Sequence, residues 1–181
     1  GMTLIAISGV DMALWDAIAK EAGMPLVRLL GGTPGKVRAY NTCGLWLIPL
    51  EKLAAEAKEL LAEGGFTALK LRLGRATIAE DREAIHIVRE AVGPSVHIMT
   101  DFSQGLQAGE AKLRMHALDE EGLYWFEEPV ECDDLGTCAS LTRQLKTPMM
   151  LGENLYGPRE WYKCVQEQAS DVLMADLGRI G

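Results

Sequence analysis

The sequence predicts an α/β fold with a parallel sheet, on three observations. Short apolar segments alternate with helix-like segments, giving six candidate strands in register with helices. Three acids, Asp101, Glu127 and Glu153, recur at one interval of 26 residues, closing the stretches VHIMTD, LYWFEEP and PMMLGEN. One strand-helix unit of a parallel fold takes about 25 to 30 residues. Three carboxylates at one place in three consecutive units therefore converge on one rim of a barrel, where such folds keep their chemistry.

The elements follow in order. Residues 10–22 carry Leu14, Trp15 and Ile18 at helical spacing, and LVRLLGG ends in a glycine pair that can stop a helix. VRAYNTC (37–43) reads as the first strand. LEKLAAEAKELLAEGG (50–65) is amphipathic, with Leu53, Ala57, Leu60 and Leu61 on one face. FTALKLRL (66–73) is the second strand, and residues 78–92 form a helix with Ile85, Val88 and Val92 in register. The third strand ends at Asp101, a helix covers about 108–121, and the fourth strand ends at Glu127. Residues 134–145 align Leu135, Cys138, Leu141 and Leu145 on a helix. The fifth strand ends at Glu153, Pro158 opens a helix over 158–169, and DVLMAD (171–176) is the sixth strand. A closed barrel needs eight strands and about 250 residues. The expectation is thus a partial TIM-type (β/α) barrel over 36–181, with about six of eight strands, preceded by a helical lead-in over 1–35.

Bulk properties narrow the function. The chain has 181 residues, 48% of them hydrophobic, and a net charge of −8. The acidic balance and the absence of a basic cluster argue against nucleic-acid binding. No uninterrupted run of 18 apolar residues occurs, so no membrane partner is expected. Cys43, Cys132, Cys138 and Cys164 show neither CxxC nor zinc-finger spacing; Cys138 and Cys164 fall on apolar helix stripes and read as buried thiols. A reducing cytoplasm is the expected compartment.

The chemistry concentrates at strand ends. One strand-end acid is unremarkable as a helix cap or a solvated charge. Three in one register would repel one another strongly unless a cation lies between them, and hard oxygen ligands suit Mg²⁺. Strand alternation puts Glu127 and Glu128 on opposite faces, and the 26-residue register selects Glu127; Glu128 supports the site or pairs with a cation on a neighbouring strand. Lys70 and Arg72 share a face of the second strand. They are either a pair of solvated charges or an anion clamp and a proton-transfer group. Arginine stays protonated and clamps anions. Lys70 beside it is expected to have its pKa pushed down, which suits a base. Asp176 ends the sixth strand and could orient a histidine. His86 and His116 lie in helices and His97 starts a strand at the far end, so none of the three serves.

Taken together, SGVDMALWDAIAKEAGMPLVRLLGG, KLRLG, TDFSQGL, WFEEP, LGENLYGP and ADLGRIG resemble the barrel domain of the enolase superfamily, in its mandelate racemase/muconate lactonizing enzyme family and the mandelate racemase group. The resemblance implies that Asp101, Glu127 and Glu153 hold one Mg²⁺, with the catalytic roles falling to Lys70, Arg72 and Asp176. Substrate contacts would fall to Lys70, Ser103 and Asn154. The substrate would be a small 2-hydroxy acid or sugar acid losing its α-proton to give an enediolate, in a racemase (an isomerase) or an acid-sugar dehydratase (a lyase). Arg72 stands where the family often has a second lysine that acts as a base, and Ser103 where an asparagine is common. Asp176 matches a dyad aspartate whose histidine comes from a seventh strand; that strand and the capping domain are not among these residues. The expected function is therefore that of the parent enzyme. The alternative is an inert truncated barrel that at most binds metal and self-associates as a homo-oligomer through its open sheet edges.

Overall fold

The computed structural model describes residues 1–180, so the last glycine of the ADLGRIG motif lies outside the described residues. The elements run α1 (Met2–Glu21), α2 (Leu26–Leu29), α3 (Leu50–Ala62), β1 (Ala68–Arg72), α4 (Ile78–Val92), β2 (His97–Asp101) and α5 (Ala108–Leu118). They continue through β3 (Trp125–Glu127), α6 (Leu135–Gln144), β4 (Met149–Leu151), α7 (Gly157–Gln166), β5 (Val172–Leu173) and α8 (Leu177–Ile180). Contacts divide the chain into two compact units: Ala39–Leu151 with Cys164–Leu173, and Gly1–Arg38 with Gly152–Lys163 and Met174 onward.

The first of these holds the sheet, five parallel strands in the order β1-β2-β3-β4-β5. Strands covered on both faces read as continuous apolar runs. Here Leu69, Leu71, Ile98, Phe126, Met149 and Met150 are fully buried. The helices bury the stripes their periodicity marks, with Leu53, Ala57 and Leu60 on α3 and Ala84, Ile85 and Val88 on α4. α4 begins at a complete capping box, in which Thr77 accepts from the Glu80 N–H and Glu80 accepts from the Thr77 N–H.

Two strands fall furthest short of their expected spans. VRAYNTC makes one parallel bridge, Asn41 to Leu69, rather than a strand. The Asn41 side chain accepts from the Cys43 N–H at 2.9 Å, turning the chain away after a single rung. β5 covers only Val172–Leu173 of the expected 171–176. Beside it Ser170 Oγ accepts from the Leu151 N–H at 3.0 Å and Asp171 Oδ2 from the Met149 N–H at 2.8 Å, so side chains replace ladder bonds.

In the second unit α1 is longer than its apolar spacing indicated, and Ser8 on it donates to the Leu177 carbonyl at 2.6 Å. Its most apolar 18-residue stretch has a mean hydropathy of 1.5 and is 11% buried. By length and composition alone this helix is able to cross a membrane, although Asp11 and Asp16 interrupt the run, and core helices of soluble proteins pass the same measure. Leu14, Trp15 and Ile18 are exposed on it.

Candidate functional site

Parallel pairing sets the site. The register places Arg72 beside Asp101 and Asp101 beside Glu127, one row across β1, β2 and β3 at the ends of the strands. Residues paired in a ladder share a face, and Lys70, two residues before Arg72, shares it too. The consequence is a cluster of four charges that is almost fully buried: Lys70 is 4% exposed, Asp101 5% and Glu127 1%.

Lys70 Nζ lies 2.8 Å from Glu127 Oε1 and 3.0 Å from Asp101 Oδ2, bridging the two acids. Arg72 Nε lies 3.3 Å from the same Asp101 oxygen. The other Asp101 oxygen accepts from the Ser103 N–H at 2.7 Å and from its hydroxyl at 3.2 Å. Ser103 thus orients a carboxylate in this arrangement. Trp125, one turn of the pleat before Glu127, donates its indole N–H to Glu127 Oε2 at 3.3 Å. Ser103, Gln104 and Glu128 have φ of 47°, 61° and 37°, left-handed conformations directly after the two acids. Non-glycine residues hold such backbone angles only where the surroundings over-determine them, and functional sites are where they collect.

The charge on Lys70 behaves differently from what its sequence neighbour suggested. Burial pulls its pKa down, but the hydrogen bond and charge of Glu127 and the charge of Asp101 outweigh burial, and the ammonium is held above the usual lysine range. Arg72 does lower it, as expected, but is the smallest of the influences. The expected depressed pKa is therefore corrected to a raised one: spacing put the acids on the same rim but did not show that Lys70 pairs with two of them directly.

Arg72 is itself enclosed by groups that sequence reasoning missed. Both of its terminal nitrogens donate to Thr42 Oγ1 at 3.2 Å, and its guanidinium carbon sits 4.5 Å from the Trp46 ring centroid. Thr42 and Trp46 lie just after the Asn41 bridge. No local spacing marked them, since their partner is 30 and 26 residues away. Glu128 is itself buried, and its charge helps push up the Cys138 thiol on α6, which burial chiefly raises to about 12. Cys138 and Cys164 are buried and free, as their helix stripes indicated.

Glu153, Asn154 and Asp176 belong to the second unit. Glu153 follows the end of β4 by two residues rather than closing the strand. Asp176 Oδ1 accepts from the Gly178 N–H at 2.8 Å, and Oδ2 lies 3.2 Å from Arg179 Nε. Arg179 also donates to the Glu153 carbonyl and to Asn154 Oδ1. His86 and His116 are on helices and pair with Glu121 and Gln144, and His97 opens β2, so the three histidines stand away from the four-charge cluster. Among the described residues, no three acidic, histidine or cysteine side chains gather as a metal-holding group. The donor chemistry of Asp101 and Glu127 nevertheless fits a hard cation: two buried carboxylates in one register, at present neutralised by an ammonium between them.

Comparison with known proteins points the same way. A family model described as enolase C-terminal domain-like matches residues 52–181, and the mandelate racemase/muconate lactonizing enzyme N-terminal domain model matches residues 1–31. An arabinonate dehydratase from Saccharolobus solfataricus is 36% identical over 98% of this chain and 48% of its own length. Among solved structures, an enolase from alpha proteobacterium BAL199 with bound magnesium is 52% identical, with a TM-score of 0.94 over 99% of this chain and 50% of that one. An enolase from Bradyrhizobium complexed with magnesium and mandelic acid is 35% identical, with a TM-score of 0.91 over 100% of this chain and 50% of that one. The chain thus spans about half the length of the relatives it matches.

Proposed function

The chain belongs to the mandelate racemase/muconate lactonizing enzyme family of the enolase superfamily, and on that premise we propose that its acid-lined strand ends form the metal-binding and substrate-carboxylate side of a site that removes the α-proton of a 2-hydroxy or sugar acid. The observation that carries this reading is the in-register row Arg72–Asp101–Glu127 with Lys70 bridging the two acids. Asp101 and Glu127 would hold one Mg²⁺, with Glu153 as the third ligand on the strength of its 26-residue spacing.

A bound Mg²⁺ supplies concentrated positive charge against the dianion that develops when a proton leaves the carbon beside a carboxylate. The chain's own residues do the rest. Arg72 offers a planar guanidinium to the substrate carboxylate, a geometry suited to clamping an anion. Lys70 is the titratable member of the pair and the group able to hold or pass a proton, at Nζ. Ser103 fixes the orientation of Asp101, and Trp125 does the same for Glu127. Asp176 would orient a basic partner supplied from outside these residues, and Asn154 would face substrate. Whether the parent protein racemises or dehydrates its substrate depends on which group meets the opposite face. An arabinonate dehydratase and a protein complexed with mandelic acid among the relatives support this choice of substrate class.

Calorimetric titration of the chain with Mg²⁺ tests the reading. Saturable binding is expected, weakened at least about tenfold in Glu127→Gln, corresponding to about 1.4 kcal/mol. Equal affinity in the two proteins removes Glu127 from the site.

A further inference from the structure

The loop that follows β1 is held by a buried ion pair with no part in the site. Asp81 on α4 is fully buried, and its carboxylate accepts from the Gly74 N–H at 3.1 Å and the Arg75 N–H at 3.0 Å. Arg114 on α5, 3% exposed, pairs with Asp81 and donates to the Arg75 carbonyl at 2.9 Å. The backbone of Arg75 is therefore secured on both sides without help from its own side chain. That side chain reaches across to another segment, where Nη2 donates to the Ile48 carbonyl at 2.8 Å.

The segment it holds is the one that encloses Arg72. The Ile48 N–H donates to the Trp46 carbonyl at 2.6 Å, so the three residues 46–48 form one tight turn. At the head of this turn the Trp46 indole lies against the Arg72 guanidinium, although Trp46 is 55% exposed. An exposed indole has many orientations open to it, and one stacked on a cation needs its backbone fixed to stay there. The contacts form one path: buried pair, Arg75 backbone, Arg75 side chain, Ile48 carbonyl, Trp46 ring, Arg72.

We propose that Arg75 is a positioning residue for Arg72, acting through the Trp46–Ile48 turn to hold the guanidinium where an anionic substrate group would meet it. The inference rests on the reading of Arg72 as a substrate clamp, but the geometry it asserts is testable without that reading.

The test is fluorine NMR of the chain labelled with 5-fluorotryptophan, which has four tryptophans, with the Trp46 resonance assigned through Trp46→Phe. Arg75→Met keeps the backbone bonds to Asp81 and Arg114 and removes only the reach to Ile48. Its Trp46 resonance should move toward the position found in Arg72→Met, with the other three unmoved, and Arg75→Lys, which keeps a donor, should restore it at least in part. A Trp46 resonance unchanged in Arg75→Met overturns the proposal. Movement of all four together also overturns it, because Arg75 would then be supporting the fold at large. Mg²⁺ titration of the same variants keeps the two ideas apart: absent binding counts against the proposed metal site, an unmoved Trp46 against Arg75.

Discussion

Lys70 shows how one side chain inherits its state from distant partners. Its ammonium stands between Glu127 and Asp101, and removing it would leave two buried carboxylates facing each other. Breaking a buried ion pair by deleting one partner typically costs about 3–5 kcal/mol. Lys70→Met should therefore lower stability by that order in urea denaturation at neutral pH. In the proposed site Mg²⁺ takes over the ammonium's task, and at about a hundredfold its Kd should return about 2.7 kcal/mol. A variant as stable as the wild type would mean that the two acids are not repelling in the folded chain. Spacing made Lys70, Arg72, Asp101 and Glu127 legible as a set, because a strand's two-residue period and a 26-residue repeat both survive in one dimension. What it did not carry was the direction of the Lys70 shift, or the partnership of Thr42 and Trp46 with Arg72. Those depend on which strand end lies beside which.

At the level of elements, the clearest boundary in the chain was α4, whose expected span of 78–92 is the observed one. Its capping box opens it and Gly93, at φ 82°, closes it, and both signals are local. The first strand was misjudged for the opposite reason. Its β-forming residues were visible, but the Asn41 side chain that caps the Cys43 N–H competes with the ladder, and composition does not reveal which wins. A link between elements gives a pH test. Asp119, which follows α5, accepts from the Lys146 and Thr147 N–H groups ahead of β4, at 3.0 and 2.8 Å. Burial works to raise its pKa, but those bonds, with the Thr147 hydroxyl and the Lys146 charge, hold it below the ordinary value of 3.8. A depressed folded pKa contributes stability that is fully present above the unfolded value and is lost as pH falls through the folded one. Asp119→Asn should therefore lower the melting temperature at pH 6 and match the wild type near pH 2. A gap that persists undiminished in acid would show that charge on Asp119 is not what tethers β4.

The larger unit rests on five parallel strands whose order follows the chain, so each strand-helix unit adds one rung beside the last. That arrangement turns the row Arg72–Asp101–Glu127 into a constraint on inheritance as well as on chemistry. A substitution on a strand changes one side chain; a one-residue deletion inverts every residue beyond it, because successive side chains point to opposite faces. Deleting Thr100 would send the Asp101 carboxylate toward the helices and an apolar neighbour into the charge cluster, and both cooperative unfolding and Mg²⁺ binding should be lost. Inserting one glycine after Gly105, beyond the strand, should leave both intact. A lineage built on this scaffold can lengthen and shorten its loops freely while its strands stay fixed in count, so new specificities in such proteins should arise as changes in loop length and new reaction types as point substitutions at strand ends.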